Sequence, residues 1–397
     1  MTNVLVITSY WPTEANSISG IFVAQQLNAF CRSGFHITVV VGRTIGRDRA
    51  RLLSPKELGL SDQSVHLIEL PYFRLPEIFS RHSVAMAVNT YCFGHAAAVH
   101  LNQKDGARAY SICIIHGLRY GGLSLPAWSK FVPAKKLIVI HGVDPVLTRP
   151  SLRAYLQRRL RRVDASVEKF ILVGSPLARH ASTLGIKSNR HTVIANGAEL
   201  PRVGTEPGSR TDSHGKVTVV SVSNLIRLKG VDQNIRALAM IDSACPNLSW
   251  EYEIIGDGPE RDALERLAKS LGISDRVFFR GRLEYEETMS ALSRADIFSL
   301  PSWGEAFGIV YLEAMMRGLP AVGCHENGAA DIISDGTDGF LVQPLDPEAL
   351  SKVLKRLIED KALRFQVGRR ARSKAKTFTW EENVQRVLQV AELKAER

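Results

Sequence analysis

Two series of alternating apolar and polar segments run along the chain, one on each side of a polar, turn-rich stretch. The first opens with Asn3-Val-Leu-Val-Ile-Thr8, a short apolar run suited to a strand buried on both faces of a parallel sheet. A loop carrying Trp11-Pro12 leads to Gly20. Phe22, Leu27 and Phe30 then recur at roughly helical spacing up to Ser33-Gly34, and 35–41 reads as a second strand. The chain therefore begins β-α-β. Further strands are expected at 64–70, 111–116, 136–141 and 169–174. Residues 201–215, rich in Pro, Gly, Ser and Asp and without apolar periodicity, read as a linker. A second series then places strands at 216–222, 251–255, 276–280, 297–300, 320–323 and 339–342, with helical stretches between most of them. Strands alternating with helices predict α/β architecture with parallel sheets covered on both faces.

The domain boundaries that follow are 1–200, a linker at 201–215, 216–379, and a last helix over 380–397. Trp380, Val384, Val387, Leu388, Val390 and Ala391 form a broad apolar face on that helix, which is expected to cross back and brace the first domain. A ligand cleft is expected between the two halves, at the carboxyl ends of the strands.

Composition changes this picture little, and charge changes it more. The 45% hydrophobic and 23% charged residues are ordinary for a globular protein. No run of apolar residues is long enough to span a membrane. The apolar start is cut short by Trp11-Pro12 and has no basic segment before it, which argues against a signal peptide. The five cysteines form no metal-ligand spacing, so free thiols in a reducing cytoplasm are expected, with no metal and no cofactor. The net charge of +11 is concentrated: residues 1–200 carry +13 and the remainder −2. The first half is therefore expected to face something anionic.

The densest chemical signal is Pro301-Ser-Trp-Gly-Glu-Ala-Phe-Gly-Ile-Val-Tyr-Leu-Glu313, a strand end, a glycine-containing loop and a helix expected to begin near Ala306 or Phe307. Free N–H groups at such a helix start suit a phosphate or a sugar hydroxyl. On one continuous helix, Glu305 and Glu313 would lie roughly 12 Å apart, about the length of a nucleotide sugar from ribose to hexose. Taken alone, the pair also reads as a dipole-favoured carboxylate at a helix start followed by an exposed helix glutamate. Lys229-Gly230, after the strand at 216–222, can pair with a diphosphate or be a solvated lysine beside a turn. Gly256, in Gly256-Asp-Gly-Pro259, lies in a tight turn after another strand, which either carries backbone close to a ligand or is only a turn. His141, at the end of the strand at 136–141, suits contact with a sugar hydroxyl or proton transfer, or a purely structural role. Ser19-Gly20 lies in the loop after the first strand, where glycine lets backbone approach a ligand or simply turns the chain.

Taken in order, these segments resemble the GT-B-type retaining glycosyltransferases of glycosyltransferase family four, over nearly the whole chain. The most specific part is the E-x7-E of Glu305 and Glu313 within Pro-Ser-x-x-Glu-x-Phe-Gly, preceded by Lys229-Gly230 and 255–259 and followed by Gly328, Asp331 and Gly339. The resemblance implies two facing Rossmann-like domains, a nucleotide-sugar donor and metal-independent chemistry. Lys229 would bind the donor diphosphate and Glu313 the ribose. Glu305, with backbone at Phe307, Gly308 and Ile309, would hold the transferred sugar. His141 would sit beside the anomeric carbon, Gly256 near the donor, and Ser19 and Gly20 beside phosphate or acceptor. Asn224 stands where the family has an arginine, which removes one diphosphate contact unless Arg227 or another cation replaces it. Asn196-Gly-Ala-Glu199 resembles the family's Asn-Gly-x-Asp stretch.

The segment 151–163 reads as an amphipathic helix with Leu152, Tyr155, Leu156, Leu160 and Val163 on one face and Arg153, Arg158, Arg159, Arg161 and Arg162 around the rest. Arg43, Arg47, Arg49 and Arg51 form a second basic group, and 71–81 mixes aromatics with arginines. A peripheral contact with anionic lipids on the inner face of the plasma membrane is expected, with a glycan or polyprenyl-diphosphate-linked acceptor. The opening segment, Ile7 to Pro12, with 20–23 is similar to bacterial capsule, exopolysaccharide and teichuronic-acid transferases, and implies surface-polysaccharide assembly (lipopolysaccharide or exopolysaccharide). The competing readings are a nucleotide-sugar epimerase and a non-catalytic nucleotide-sugar-binding protein. Nucleic acid is not expected, since no recognition module accompanies the charge.

Overall fold

The structure is a computed structural model that describes residues 3–76, 83–103, 110–201 and 215–393. It divides into two compact units, residues 1–197 with 380–397, and residues 198–379. The linker read at 201–215 lies almost wholly outside the described residues, as does the end of the aromatic and basic segment at 71–81.

The first unit is built on β1 (Asn3–Thr8), β2 (His36–Thr44), β3 (Val65–Tyr72), β4 (Tyr110–His116), β5 (Lys135–Ile140), β6 (Lys169–Leu172) and β7 (His191–Val193), with helices α1 (Ile21–Arg32), α2 (Ser83–Gln103), α3 (Leu123–Trp128), α4 (Arg153–Asp164) and α5 (Leu177–Thr183). The strands pair in parallel in the order β3-β2-β1-β4-β5-β6-β7. β1 is central, and Val4, Leu5, Val6 and Ile7 are all fully buried, the reason its sequence shows no polar alternation. β7 was not expected. It is three residues long and half-buried, too short and too polar to announce itself.

The second unit has β8 (Val217–Val222), β9 (Trp250–Ile255), β10 (Val277–Gly281), β11 (Ile297–Ser299), β12 (Ala321–Cys324) and β13 (Gly339–Val342). Its helices are α6 (Val231–Ala244), α7 (Arg261–Ser270), α8 (Tyr285–Arg294), α9 (Ile309–Met316), α10 (Pro347–Glu359) and α11 (Lys361–Ala375). The strand order is β10-β9-β8-β11-β12-β13, again all parallel. The fold is thus α/β with two Rossmann-like parallel sheets. In each, strand order reverses beside the first strand, between β1 and β4 and between β8 and β11. Loops leaving these strands diverge there and open a crevice at the carboxyl ends.

The last helix, α12 (Trp380–Val390), packs on α1 in the first unit. Its apolar face is buried at Trp380, Val384, Val387 and Leu388. Polar groups fix the register: Trp380 Nε1 donates to Gln25 Oε1 at 3.2 Å, and Gln26 Nε2 donates to Asn383 Oδ1 at 2.6 Å. Asn383 Nδ2 donates in turn to the Ala195 carbonyl at 2.7 Å. Among the described residues no helix is long and apolar enough to cross a membrane.

Candidate functional site

The crevice of the second unit is assembled from three loops. The loop after β8 enters a single 3-10 turn at Arg227–Lys229, and Gly230 ends it with φ 69° before α6. The loop after β11, residues 300–308, is held down by Trp303 N–H and Ser302 Oγ, which both donate to the Leu228 carbonyl, at 3.0 and 2.9 Å. The turn at Asn327–Asp331 completes the set: Asn327 Nδ2 donates to the Ser302 carbonyl at 2.6 Å, and Gly328 N–H to the Glu305 carbonyl at 3.1 Å. The result is an ion pair between Lys229 Nζ and Glu305 Oε1 with both side chains mostly covered, 20% and 12% exposed.

A buried polar cluster underlies this crevice. Asn234 Nδ2 donates to Tyr252 Oη and to the Ser299 carbonyl, each at 3.0 Å, and Ser299 Oγ donates to Asn234 Oδ1 at 2.6 Å. Ser221 Oγ lies 2.6 Å from Tyr252 Oη. These contacts tie α6 to the ends of β8 and β11, so the loops above them start from fixed positions.

The helix after Glu305 begins at Ile309, later than the sequence pattern predicts. Gly308 has φ 90°, a left-handed conformation in which the helix cannot continue backwards. Glu305 therefore lies in the loop, and the spacing of two carboxylates along one continuous helix does not apply. No side chain caps α9; Tyr311 N–H turns back to the Gly308 carbonyl at 3.0 Å, and the N–H groups ahead of it meet no capping side chain. Phe307 is buried, and Tyr311 Oη donates to the Leu300 carbonyl at 2.5 Å.

Glu313 is not the exposed helix glutamate that its surroundings in sequence allow. It is 9% exposed. Burial raises its pKa to about 7, against the opposing pull of Arg317 and a hydrogen bond with Tyr285. Arg317 donates to the Glu313 carbonyl at 2.9 Å and to the Met289 carbonyl at 3.1 Å. Gly256 has φ 127°, and a Cβ there would meet the Ser223 carbonyl oxygen at 1.8 Å. The turn thus presses two backbones together beside Asn224, which is exposed. Arg227 is exposed too, on the same turn as Lys229.

In the first unit the loop after β1 and the ends of β4 and β5 line a cavity of about 190 Å³, which includes Tyr10, His116, Arg119, Asp144, His141 and His180. β5 stops at Ile140, so His141 is the first residue beyond the strand. Its ring touches Phe22 (centroids 4.6 Å apart) and Tyr10 (5.7 Å). His116 Nδ1 lies 2.8 Å from His141 Nε2. Burial holds His116 down at about pKa 3 and His141 well below the ordinary histidine value, with His116 opposing its charge further. Gly20 caps α1 with φ 81°, and a Cβ would meet the Tyr10 carbonyl carbon at 2.5 Å. This glycine therefore serves the packing of Tyr10, which in turn borders His141. Ser19 N–H donates to Asn16 Oδ1 at 3.2 Å.

Sequence reasoning missed His116. The signal was present: Ile115-His-Gly117 and Ile140-His-Gly142 repeat one tripeptide at the ends of β4 and β5, which lie side by side. Of the five helix arginines, Arg159 is turned inward, donating to the Leu123 carbonyl at 2.7 Å, whereas Arg153, Arg158, Arg161 and Arg162 are exposed. Among the described residues no group of three or more His, Cys, Asp or Glu is arranged to hold a metal ion.

Residues 206–374 match the family model described as glycosyl transferases group 1. The chain is 30% identical over 238 residues to D-inositol 3-phosphate glycosyltransferase of Salinispora arenicola (strain CNS-205), covering 58% of this chain and 50% of that protein. It therefore spans about half the length of the curated relative it matches. Among solved structures, sucrose-phosphate synthase from Thermosynechococcus elongatus superposes with a TM-score of 0.74 at 19% identity, covering 99% of this chain and 98% of that one. Anabaena Alr3699/HepE in complex with UDP superposes with a TM-score of 0.71 at 18% identity, covering 99% and 100%. At such identities these superpositions establish the fold.

Proposed function

We propose that this chain, which belongs through residues 206–374 to the glycosyl transferases group 1 family, is a retaining glycosyltransferase that moves a hexose-type sugar from a UDP- or GDP-sugar to a glycan or lipid-linked glycan. The observation that carries this reading is the covered Lys229–Glu305 pair at the strand-order reversal between β8 and β11. A cation and a carboxylate poised against each other suit a ligand bearing both a diphosphate and sugar hydroxyls, each of which replaces one partner of the pair.

In this scheme the second unit holds the donor. Lys229 takes the diphosphate, replacing the charge contact that Asn224 lacks together with Arg227. Glu305 is released to accept hydrogen bonds from the sugar, and the N–H groups at Phe307, Gly308 and Ile309 face it. Glu313 accepts from the ribose hydroxyls, and the turn at Gly256 brings backbone close to the donor. The first unit, with Ser19, Gly20 and His141, takes the acceptor. Departure of the nucleoside diphosphate leaves positive charge on the anomeric carbon, which positioned dipoles stabilise. The acceptor hydroxyl attacks on the same face, and its proton passes to a donor phosphate oxygen.

A polyprenyl-diphosphate-linked acceptor and peripheral membrane contact belong to the same proposal. Four exposed arginines on α4 support it, as does an adjoining apolar groove of about 410 Å³ floored by Leu147, Leu156 and Leu184 and edged by Arg149 and Arg153. Bacterial surface-polysaccharide assembly is the setting such an acceptor fits.

The test is release of free nucleoside diphosphate from a panel of UDP- and GDP-sugars in the presence of EDTA. Release with one donor that is lost in Lys229→Ala and Glu313→Ala supports the reading. Saturable donor binding without release, even after membrane lipid extract is added, overturns it in favour of a binding protein.

A further inference from the structure

The histidine pair in the first unit carries a consequence for hydrogen bonding that follows from its geometry. The rings of His116 and His141 are within 13° of parallel with centroids 5.1 Å apart, and the facing nitrogens are separated by 2.8 Å. Near-coplanar rings with nitrogens at that distance are joined edge to edge by one N–H···N hydrogen bond. One proton occupies the contact, so one ring donates and the other accepts. Neither ring carries a second proton at neutral pH, because burial disfavours the charged form of both.

Two arrangements satisfy this. If His141 donates from Nε2, the proton of His116 must sit on its own Nε2. That atom is buried and has no hydrogen-bond partner, so the arrangement strands an N–H. If His116 donates from Nδ1, its Nε2 carries only a lone pair, and the proton of His141 sits on Nδ1. Buried N–H groups without partners are the rarer kind of orphan in folded proteins, and a neutral imidazole has one donor and one acceptor to distribute. The second arrangement leaves only an unmet acceptor. Backbone supports the approach of the two rings, since Gly117 N–H donates to the Val139 carbonyl at 2.9 Å and draws the ends of β4 and β5 together.

We infer that His116 is a positioning residue: it donates to His141 Nε2, locks His141 in the tautomer protonated at Nδ1, and so makes His141 a hydrogen-bond donor rather than a base toward the ligand in the first unit's cavity. The ligand it suits is an oxygen acceptor, such as a sugar hydroxyl or a phosphate oxygen. Phe22 and Tyr10 hold the ring from its other sides. Among the described residues no protein group bonds His141 Nδ1, so that donor is left for the ligand. The assignment of a ligand-facing role to His141 rests on the proposed transfer reaction, whereas the tautomer does not.

The experiment is long-range ¹H–¹⁵N correlation of the histidine rings in the full chain, with His141→Gln and His116→Asn spectra used for assignment. The expected result is a pyrrole-type His141 Nδ1 and a pyridine-type His141 Nε2, unchanged between pH 6 and 8. A pyrrole-type His141 Nε2, or an imidazolium in that range, overturns the inference whether or not the protein transfers sugar. Once a donor is found, His116→Phe should lower kcat about tenfold with little change in donor KM. His116→Asn, whose amide supplies an N–H donor, should recover most of the loss. Equal kcat in His116→Phe and the parent would overturn the positioning role. Absence of turnover with every donor would count against the transfer reading and leave the ring spectra to decide the tautomer.

Discussion

Lys229 and Glu305 stand 76 residues apart in the chain, yet their side chains form an ion pair at the carboxyl ends of β8 and β11. Each side chain covers the other, both being mostly shielded from solvent. In the proposed scheme a diphosphate draws Lys229 away from Glu305, and a sugar draws Glu305 away from Lys229.

Glu305→Gln separates these roles. Removing the carboxylate frees Lys229, so the nucleoside diphosphate alone should bind as tightly as in the parent or more tightly. Sugar release from the full donor should fall at least tenfold. Calorimetric titration with nucleoside diphosphate, beside turnover of the nucleotide sugar, reads both. Weaker nucleoside diphosphate binding in Glu305→Gln would count against competition at Lys229.

Lys229→Ala should weaken donor binding by about 10- to 100-fold, the effect of losing one hydrogen bond to a charged group at roughly 1.5–3 kcal/mol. The loss should shrink as salt rises, because screening weakens the parent's charge contact more than the variant's. An unchanged affinity would remove Lys229 from the site.

Glu313 makes stability depend on pH. Burial raises its folded pKa to about 7 from the ordinary glutamate value of about 4.5, so the folded state binds the proton more tightly than the unfolded one. Between these values the folded state holds more protons, and stability falls as pH rises. Below about 4.5 the penalty is absent, and above about 7 it is complete, on the order of 3 kcal/mol at most. Glu313→Gln should therefore gain thermal stability relative to the parent between pH 5 and 8, measured as the difference in Tm across that range. A difference that stays constant with pH would show that Glu313 ionises normally.

Asn383→Ala removes the partner of both Gln26 and the Ala195 carbonyl. Leaving a buried polar group unpaired costs about 1–3 kcal/mol, so unfolding in denaturant should shift its midpoint clearly downward. A change below about 0.5 kcal/mol, the scale of ordinary surface substitutions, would mean that α12 is held by its apolar face alone.

The sequence by itself determined the two α/β series, because a strand buried on both faces must be apolar throughout and the helices between must show helical spacing. Val4 to Ile7 and the apolar face of α12 were legible for that reason. It also grouped Lys229, Gly256, Glu305 and Glu313 as chemically interesting, since these residue types stand at strand ends or helix starts. Tertiary structure alone decided how they are placed. Gly308, in a left-handed conformation, delays the helix to Ile309 and lengthens the loop that carries Glu305, an outcome set by one positive φ that the apolar pattern across Phe307 to Leu312 conceals. Burial turns Glu313 from a surface carboxylate into one that titrates near neutrality, because desolvation depends on the elements packed over α9 and not on its neighbours in the chain. Parallel pairing of β4 with β5 brings His116 to His141 across 25 residues, and no local spacing encodes that contact. Periodicity records which face of an element is buried, whereas the charge and proton state of a group depend on what the fold sets against it.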